Sequence, residues 1–133
     1  MGQELLVTEQ IDAGAEFIRG FNDYVPVSVA CWVNPADAET WYLYVASDHI
    51  YSKNIRDAYG EVHRRLAAGQ IPWLNMFQVK LVNTSDRVAR DAIRIRDRFP
   101  TPVPTRYQES SLGGLAIDGA YIYPPLVAQK TSP

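Results

Sequence analysis

The chain of 133 residues has the length of one domain. Its composition, 47% hydrophobic and 21% charged, is typical of a folded globular protein and excludes a disordered chain. A formal net charge of −2 gives no whole-molecule attraction to nucleic acid or to an anionic membrane, and the single cysteine excludes an intramolecular disulfide and a multi-cysteine zinc site.

The first predicted element is a helix over residues 4–21. Val7, Ile11, Gly14 and Ile18 recur there at helical spacing, which is typical of a helix with one buried side. The sequence "AGA" in the middle weakens this helix without cancelling it.

Two strands are predicted next, over residues 25–33 and 41–47. Both alternate along the chain, and the segment "NPADAE" between them has the residues of a turn, so the strands form an antiparallel hairpin. The aliphatic residues are expected to face the core in a continuous row. That row sets the predicted register, in which Val33 lies opposite Trp41, Cys31 opposite Leu43 and Val29 opposite Val45.

A second helix is predicted over residues 55–68, because Ile55, Tyr59, Val62 and Leu66 form one apolar stripe. A strand follows over residues 75–83. Its alternation predicts that Phe77, Val79 and Leu81 share one side.

The third predicted helix covers residues 86–98, and Pro100 prevents it from continuing. A short edge strand over residues 105–109 comes next. Asp118-Gly119, flanked by residues that favour strands, then predicts a two-residue hairpin turn. In that interpretation the segment "SSLGG" in front of it is a loop that feeds the hairpin, and not a phosphate cradle, since no helix follows to complete one.

The predicted order is therefore α-β-β-α-β-α-β-β, an α+β fold. We expect a mainly antiparallel sheet of about five strands with three helices packed on one face. One domain is predicted over residues 1–127, with a frayed C-terminal tail at residues 128–133.

The first hypothesis about function concerns three aromatic residues, Trp32, Tyr42 and Tyr44. The predicted register puts them on the side of the hairpin that the three helices do not cover. Uncovered aromatic rings on a sheet are typical of a contact surface. The sequence therefore favours a non-enzymatic module that forms a homodimer or binds a protein partner through these residues.

A second hypothesis is binding of nucleic acid or of a phosphorylated ligand. Arginines in the third helix recur at spacings of three and four residues, so they share one side of it. Aspartates nearby neutralise part of this row, and the usual outcome is a salt-bridged solvent face. The candidate anion-binding residues of this hypothesis are Arg87, Arg90, Arg94 and Arg106. Ser110 and Ser111 are candidates in the separate alternative in which the "SSLGG" loop binds an anion.

The third hypothesis is a small enzyme whose site combines Asp48, His49, Ser110 or Ser111. The material for catalysis is thin, and Cys31 in the middle of an aliphatic strand lacks the electropositive, partly exposed setting of a nucleophile. No cofactor or metal is expected. Since no apolar run reaches the length of a membrane span, a cytoplasmic protein without membrane contact is expected.

Overall fold

The computed structural model describes residues 6–69, 71, 73–98 and 103–125. The α+β class and the predicted order of elements are confirmed. The predicted tail at residues 128–133 lies outside the described part. In chain order the elements are α1 (Thr8–Phe21), β1 (Val29–Pro35), β2 (Tyr42–Ala46), α2 (Ile55–Gly69), a 3-10 turn (Met76–Gln78), β3 (Val79–Val82), α3 (Arg87–Asp97), β4 (Thr105–Tyr107), β5 (Ser111–Leu112) and β6 (Leu115–Ile122).

The strands form a mixed sheet in the order β3-β2-β1-β6-β4, and the short β5 pairs with β6 beside this path. Adjacent strands are antiparallel except β2 and β3, which are parallel. A parallel pair needs a crossover, and α2 supplies it. The sheet is therefore not purely antiparallel.

One face of the sheet, here the α1–α2 face, is covered by α1 and α2. Trp32, Leu43 and Tyr121 point from the strands into this core, where they meet residues such as Phe17 and Val62 from the helices. Aromatic residues of β1 and β6 thus lie under two helices.

The opposite face, here the α3 face, is covered by α3. Cys31, Val33 and Ile122 meet Ala92 and Ile95 there. The prediction that all three helices share one face is wrong. It is wrong because β1 is buried along its whole length, so helices must cover both sides of this strand.

The predicted register of the β1–β2 hairpin is wrong by one residue. Trp32 lies opposite Leu43, and Cys31 lies opposite Tyr44. A shift of one residue moves every side chain of a strand to the other face. The alternation could not fix the register, because both sides of β1 carry apolar residues.

The C-terminal hairpin turns at Gly113 and Gly114, which connect β5 to β6 and have positive φ angles of 58° and 84°. The predicted turn at Asp118-Gly119 is wrong. Those two residues lie inside β6, where the pairing with β1 is irregular between Asn34 and Pro35. An irregular pairing of this kind absorbs an extra residue without ending the strand.

The strand predicted over residues 75–83 begins only at Val79. Asn75 accepts a hydrogen bond from the Phe77 N–H and starts the 3-10 turn, which leaves the Phe77 side chain 81% exposed. β3 is an edge strand, and the N–H of Leu81 donates to the hydroxyl of Tyr59 in α2 at 3.0 Å.

Candidate anion-binding site

Trp32 is fully buried by α1 of its own chain. Its Nε1–H donates to the hydroxyl of Tyr123 at 2.8 Å, and that hydroxyl donates to the backbone oxygen of Ile11 at 2.6 Å. Gly14 makes the close approach of α1 possible, since a Cβ at this position would lie 2.9 Å from the indole nitrogen. The expectation that Trp32 lies on an uncovered face is therefore wrong.

Tyr42 and Tyr44 are half-buried and belong to the other side of the sheet. Each lies opposite a residue of the α3 face, Val33 and Cys31 respectively, and Tyr44 packs against the core of that face. Lys80 lies over the Tyr42 ring with its Nζ 4.8 Å from the centroid. Burial is the first cause that raises the pKa of Tyr44 above its usual value. The three predicted aromatic residues do not form one surface.

The arginines of α3 do come together. Asp86 caps this helix by accepting the N–H groups of Val88 and Ala89, so the helix begins where the sequence predicts. Val88, Ala92 and Ile95 are buried on the sheet side, which leaves the arginines of the row on the outer side. The helical period that buries the apolar residues of α3 therefore also places Arg87, Arg90 and Arg94 on its exposed side.

The Gly113–Gly114 turn docks beside this row. A Cβ at position 113 would lie 2.6 Å from the backbone nitrogen of Val88, and one at position 114 would lie 3.1 Å from a terminal nitrogen of Arg87. Glycine is therefore required twice, for the positive φ angles and for the close contact with α3. Together Arg87, Arg90, Asp91, Arg94, Gly113 and Gly114 line an open cavity of about 400 Å³, here called the arginine cleft.

Asp91 connects the two walls of the arginine cleft. One carboxylate oxygen accepts the N–H of Gly113 at 2.9 Å, and the other forms an ion pair with Arg94. The hydrogen bond from Gly113 is the first cause that holds the pKa of Asp91 below its usual value, and the nearby charges of Arg94 and Arg98 lower it further. Asp91 is thus a carboxylate at neutral pH.

The charge of the arginine cleft is positive. Three guanidinium groups against one carboxylate leave two formal positive charges among its lining residues. Arg94 is engaged by Asp91, whereas Arg87 and Arg90 form no ion pair within the described part of the chain. Two unpaired guanidinium groups beside an open cavity can bind an anion.

The other predicted anion-binding residues lie outside the arginine cleft. Arg106 lies opposite Tyr121 in the β4–β6 pairing, and its guanidinium carbon is 5.1 Å from the centroid of the Tyr121 ring. Arg106 is therefore on the α1–α2 side of the sheet. Ser110 and Ser111 are exposed and do not line the cleft. Of the six candidate residues, the three helical arginines are the ones that line the arginine cleft.

The loop residues of the enzyme hypothesis are not joined to its serines by hydrogen bonds in the described part of the chain. The Asp48 carboxylate accepts a hydrogen bond from the Thr84 hydroxyl, and the His49 N–H donates to the Ser47 hydroxyl. Neither is hydrogen-bonded to Ser110 or Ser111 in the described ranges. Within those ranges no group of three or more His, Cys, Asp and Glu residues is placed to hold a metal ion.

Cys31 is buried in the α3 face. Desolvation, with a smaller effect of the Asp86 charge, raises the pKa of its thiol to about 12. The thiolate is the nucleophilic form of cysteine, so this residue is unsuited to attack a substrate at neutral pH.

The role of Gly113 and Gly114 in the site is what sequence reasoning missed. Gly-Gly is itself a signal for a two-residue hairpin turn, and it could have placed the turn correctly. Its contact with α3 spans 22 residues of the chain, from Gly113 to Asp91. No local pattern encodes that contact.

Comparison of the chain with protein-family models, with curated proteins and with solved structures gave no match. Among the described helices, none combines the length and the apolar character needed to cross a bilayer.

Proposed function

We propose that the chain binds a small phosphorylated ligand in the arginine cleft. The observation that carries this proposal is the convergence of Arg87, Arg90 and Arg94 on one open cavity. Guanidinium groups are weakly hydrated and present paired N–H donors that match phosphate oxygens. Arg87 and Arg90, which have no ion pair in the described ranges, are the groups expected to bind the ligand.

The dimensions of the cleft favour a small ligand over a nucleic-acid strand. Arg87 and Arg94 are separated by two helical turns, about 10 Å along the helix axis. The cavity measures about 400 Å³, and the formal net charge of −2 provides no wider positive surface for a longer polyanion. Nucleic-acid binding stays the alternative for the same arginines.

Asp91 is expected to organise the site without binding the ligand. Its carboxylate holds Arg94 and the Gly113 N–H, so the guanidinium group and the turn keep a fixed separation. It also reduces the total charge of the cleft. A ligand with a single phosphate or pyrophosphate group suits such a site, because two arginines are sufficient to bind its oxygens.

The proposal is tested by calorimetric titration with inorganic pyrophosphate and with a 20-nucleotide single strand. We expect pyrophosphate to bind, and Arg87→Gln and Arg90→Gln each to weaken binding by about tenfold, because each removes charge-assisted hydrogen bonds. Arg56→Gln is the matched control, since Arg56 is exposed on α2 and does not line the cleft.

Two results would contradict the proposal. One is the absence of pyrophosphate binding, and the other is an equal loss of affinity in Arg56→Gln. Tighter binding of the single strand, with an affinity that falls steeply as salt is added, would instead support the nucleic-acid alternative.

We propose self-association, or protein binding, as a second candidate function. The role is the one expected from the sequence, but the contact surface is formed by Trp73 and Phe77 in place of Trp32, Tyr42 and Tyr44. Phe77 is 81% exposed and Trp73 is 50% exposed, and the two lie four residues apart between α2 and β3. Large apolar side chains so close together in the chain are typical of a contact surface. A cytoplasmic location stays part of this proposal.

Light scattering coupled to gel filtration tests this second candidate. If the wild type is a dimer, Phe77→Asp is expected to convert it into a monomer. Tyr51→Asp is the control, because Tyr51 is 52% exposed but precedes α2, at the end of that helix away from Phe77. A monomeric wild type at all concentrations removes self-association.

A further inference from the structure

A second cavity, of about 280 Å³, lies where β1 begins and β6 ends. It is bordered by α1 on one side and by Arg96, near the end of α3, on the other. The volume is just below the roughly 300–1,000 Å³ range of small-molecule sites. Most of its wall is apolar, from Ala15, Ile18, Val27, Val29, Tyr123 and Pro124. We call it the apolar cavity.

Arg96 is the notable polar residue of the apolar cavity. Only 14% of its side chain is exposed. One terminal nitrogen donates to the backbone oxygen of Ser28 at 2.7 Å. The Nε donates to Asp97 at 3.3 Å, and this carboxylate is 60% exposed. Such an exposed partner compensates little of the cost of burying a guanidinium charge.

The charged side chains that line the apolar cavity, among the described residues, are both cationic. Arg19, near the end of α1, also lines it, and no acidic side chain belongs to its wall in the part of the chain that the structure describes. The cavity therefore combines an apolar wall with two cationic groups, one of them largely buried. This combination is complementary to an apolar molecule that carries one anionic group.

We infer that the apolar cavity is a binding site for a small apolar monocarboxylate. The carboxylate would bind the Arg96 guanidinium, whose planar donors match its two oxygens. The apolar body would pack against Ile18, Val27 and the Tyr123 ring. A phosphate dianion fits less well, because the mainly apolar wall cannot satisfy its additional oxygens.

This inference is independent of the arginine cleft. Arg96 reaches Ser28 at the start of β1, whereas Arg87, Arg90 and Arg94 line the cavity next to the Gly113–Gly114 turn. No residue of the described part of the chain lines both cavities. One site can therefore fail its test while the other passes.

The test compares octanoate with 1-octanol, which has the same chain length and no charge, in calorimetric titrations of the full chain. Octanoate is expected to bind at least about tenfold more tightly, because only the carboxylate forms charge-assisted hydrogen bonds with Arg96. Equal affinities for the two compounds, or no binding of octanoate, would overturn the inference.

Two variants locate the binding. Arg96→Gln is expected to weaken octanoate binding by about tenfold or more and to leave 1-octanol binding nearly unchanged. Because this substitution also disturbs the hydrogen bond to Ser28, Ala15→Leu provides a second test that keeps Arg96. The larger side chain is expected to fill the apolar cavity and abolish binding of both compounds.

Arg56→Gln on the outer side of α2 is the matched control and is expected to bind octanoate as the wild type does. Unchanged octanoate affinity in both Arg96→Gln and Ala15→Leu would show that the compound binds elsewhere, and the inference would be wrong.

Discussion

The two faces of the sheet are built from different side chains. The α1–α2 face contains the large rings of Trp32, Tyr121 and Tyr123 and is covered by two helices. The α3 face contains smaller residues, among them Val29 and Cys31, and is covered by one helix. Large rings form a thick layer, whereas small side chains let a single helix approach closely.

This difference bears on where the arginine cleft lies. Because Gly14 has no side chain, α1 packs tightly against Trp32. The polar atoms of this contact, the Trp32 Nε1–H and the Tyr123 hydroxyl, are both hydrogen-bonded. α3 covers the other face alone, and its outer side remains open for the arginine cleft. The face with the fewer covering elements carries the candidate site.

The largest expected effect comes from Trp32→Ala. Removal of a fully buried indole is expected to lower the free energy of unfolding by about 3–5 kcal/mol. Chemical denaturation followed by circular dichroism measures it. A change below about 1 kcal/mol would mean that α1 does not cover the ring, and the comparison of the two faces would fail.

Ile122→Ala tests the α3 face in the same way. Ile122 is fully buried there, and its truncation is expected to cost about 2–5 kcal/mol. If this face were open to solvent, as an arrangement with all helices on one side requires, the change would stay within about 0.5 kcal/mol. The same denaturation experiment distinguishes the two arrangements.

Gly14→Ala sharpens the comparison at the tight contact of α1. The added methyl group meets Trp32 and Tyr123, and such overpacking is expected to destabilise the protein by about 1–3 kcal/mol. Gly60→Ala is the matched control, since a Cβ there meets no atom within 4 Å. Because alanine favours a helix over glycine, that control is expected to gain up to about 1 kcal/mol. Equal effects at both positions would contradict the close packing.

The smallest effect is expected for Asp91→Asn. The carboxylate is partly exposed, so its loss should cost about 0.2–1 kcal/mol at neutral pH. Its pKa is lowered in the folded state, so its stabilisation is present above the unfolded pKa of about 4 and is lost as the pH falls through the lower folded value. Urea denaturation from pH 7 to pH 2 should therefore show the two proteins converging. A difference that grows with acidity would contradict this assignment.

Much of the fold could be predicted from local patterns. Val88, Ala92 and Ile95 recur at helical spacing, and the helix that this stripe predicts over residues 86–98 is present as α3 (Arg87–Asp97). The β1–β2 hairpin is equally local, and its antiparallel pairing was also predicted correctly. Short-range geometry sufficed in both places.

What could not be predicted depends on contacts between distant segments. Alternation showed which residues of β1 share a side, but it could not tell which side faces solvent, because neither does. The cover of Trp32 comes from α1 and from Tyr123, which is 91 residues away along the chain. The candidate site likewise needs α3 and the Gly113–Gly114 turn to meet. Single-sequence patterns carry no information about such encounters.

The hydroxyl of Tyr59 has a consequence for how the molecule behaves at high concentration. An edge strand with free amides is a template on which another chain can add a strand, the first step towards fibrils. On β3 the Leu81 amide is already occupied by Tyr59. A foreign strand would have to displace this phenol before it could extend the sheet, so α2 protects that edge against aggregation.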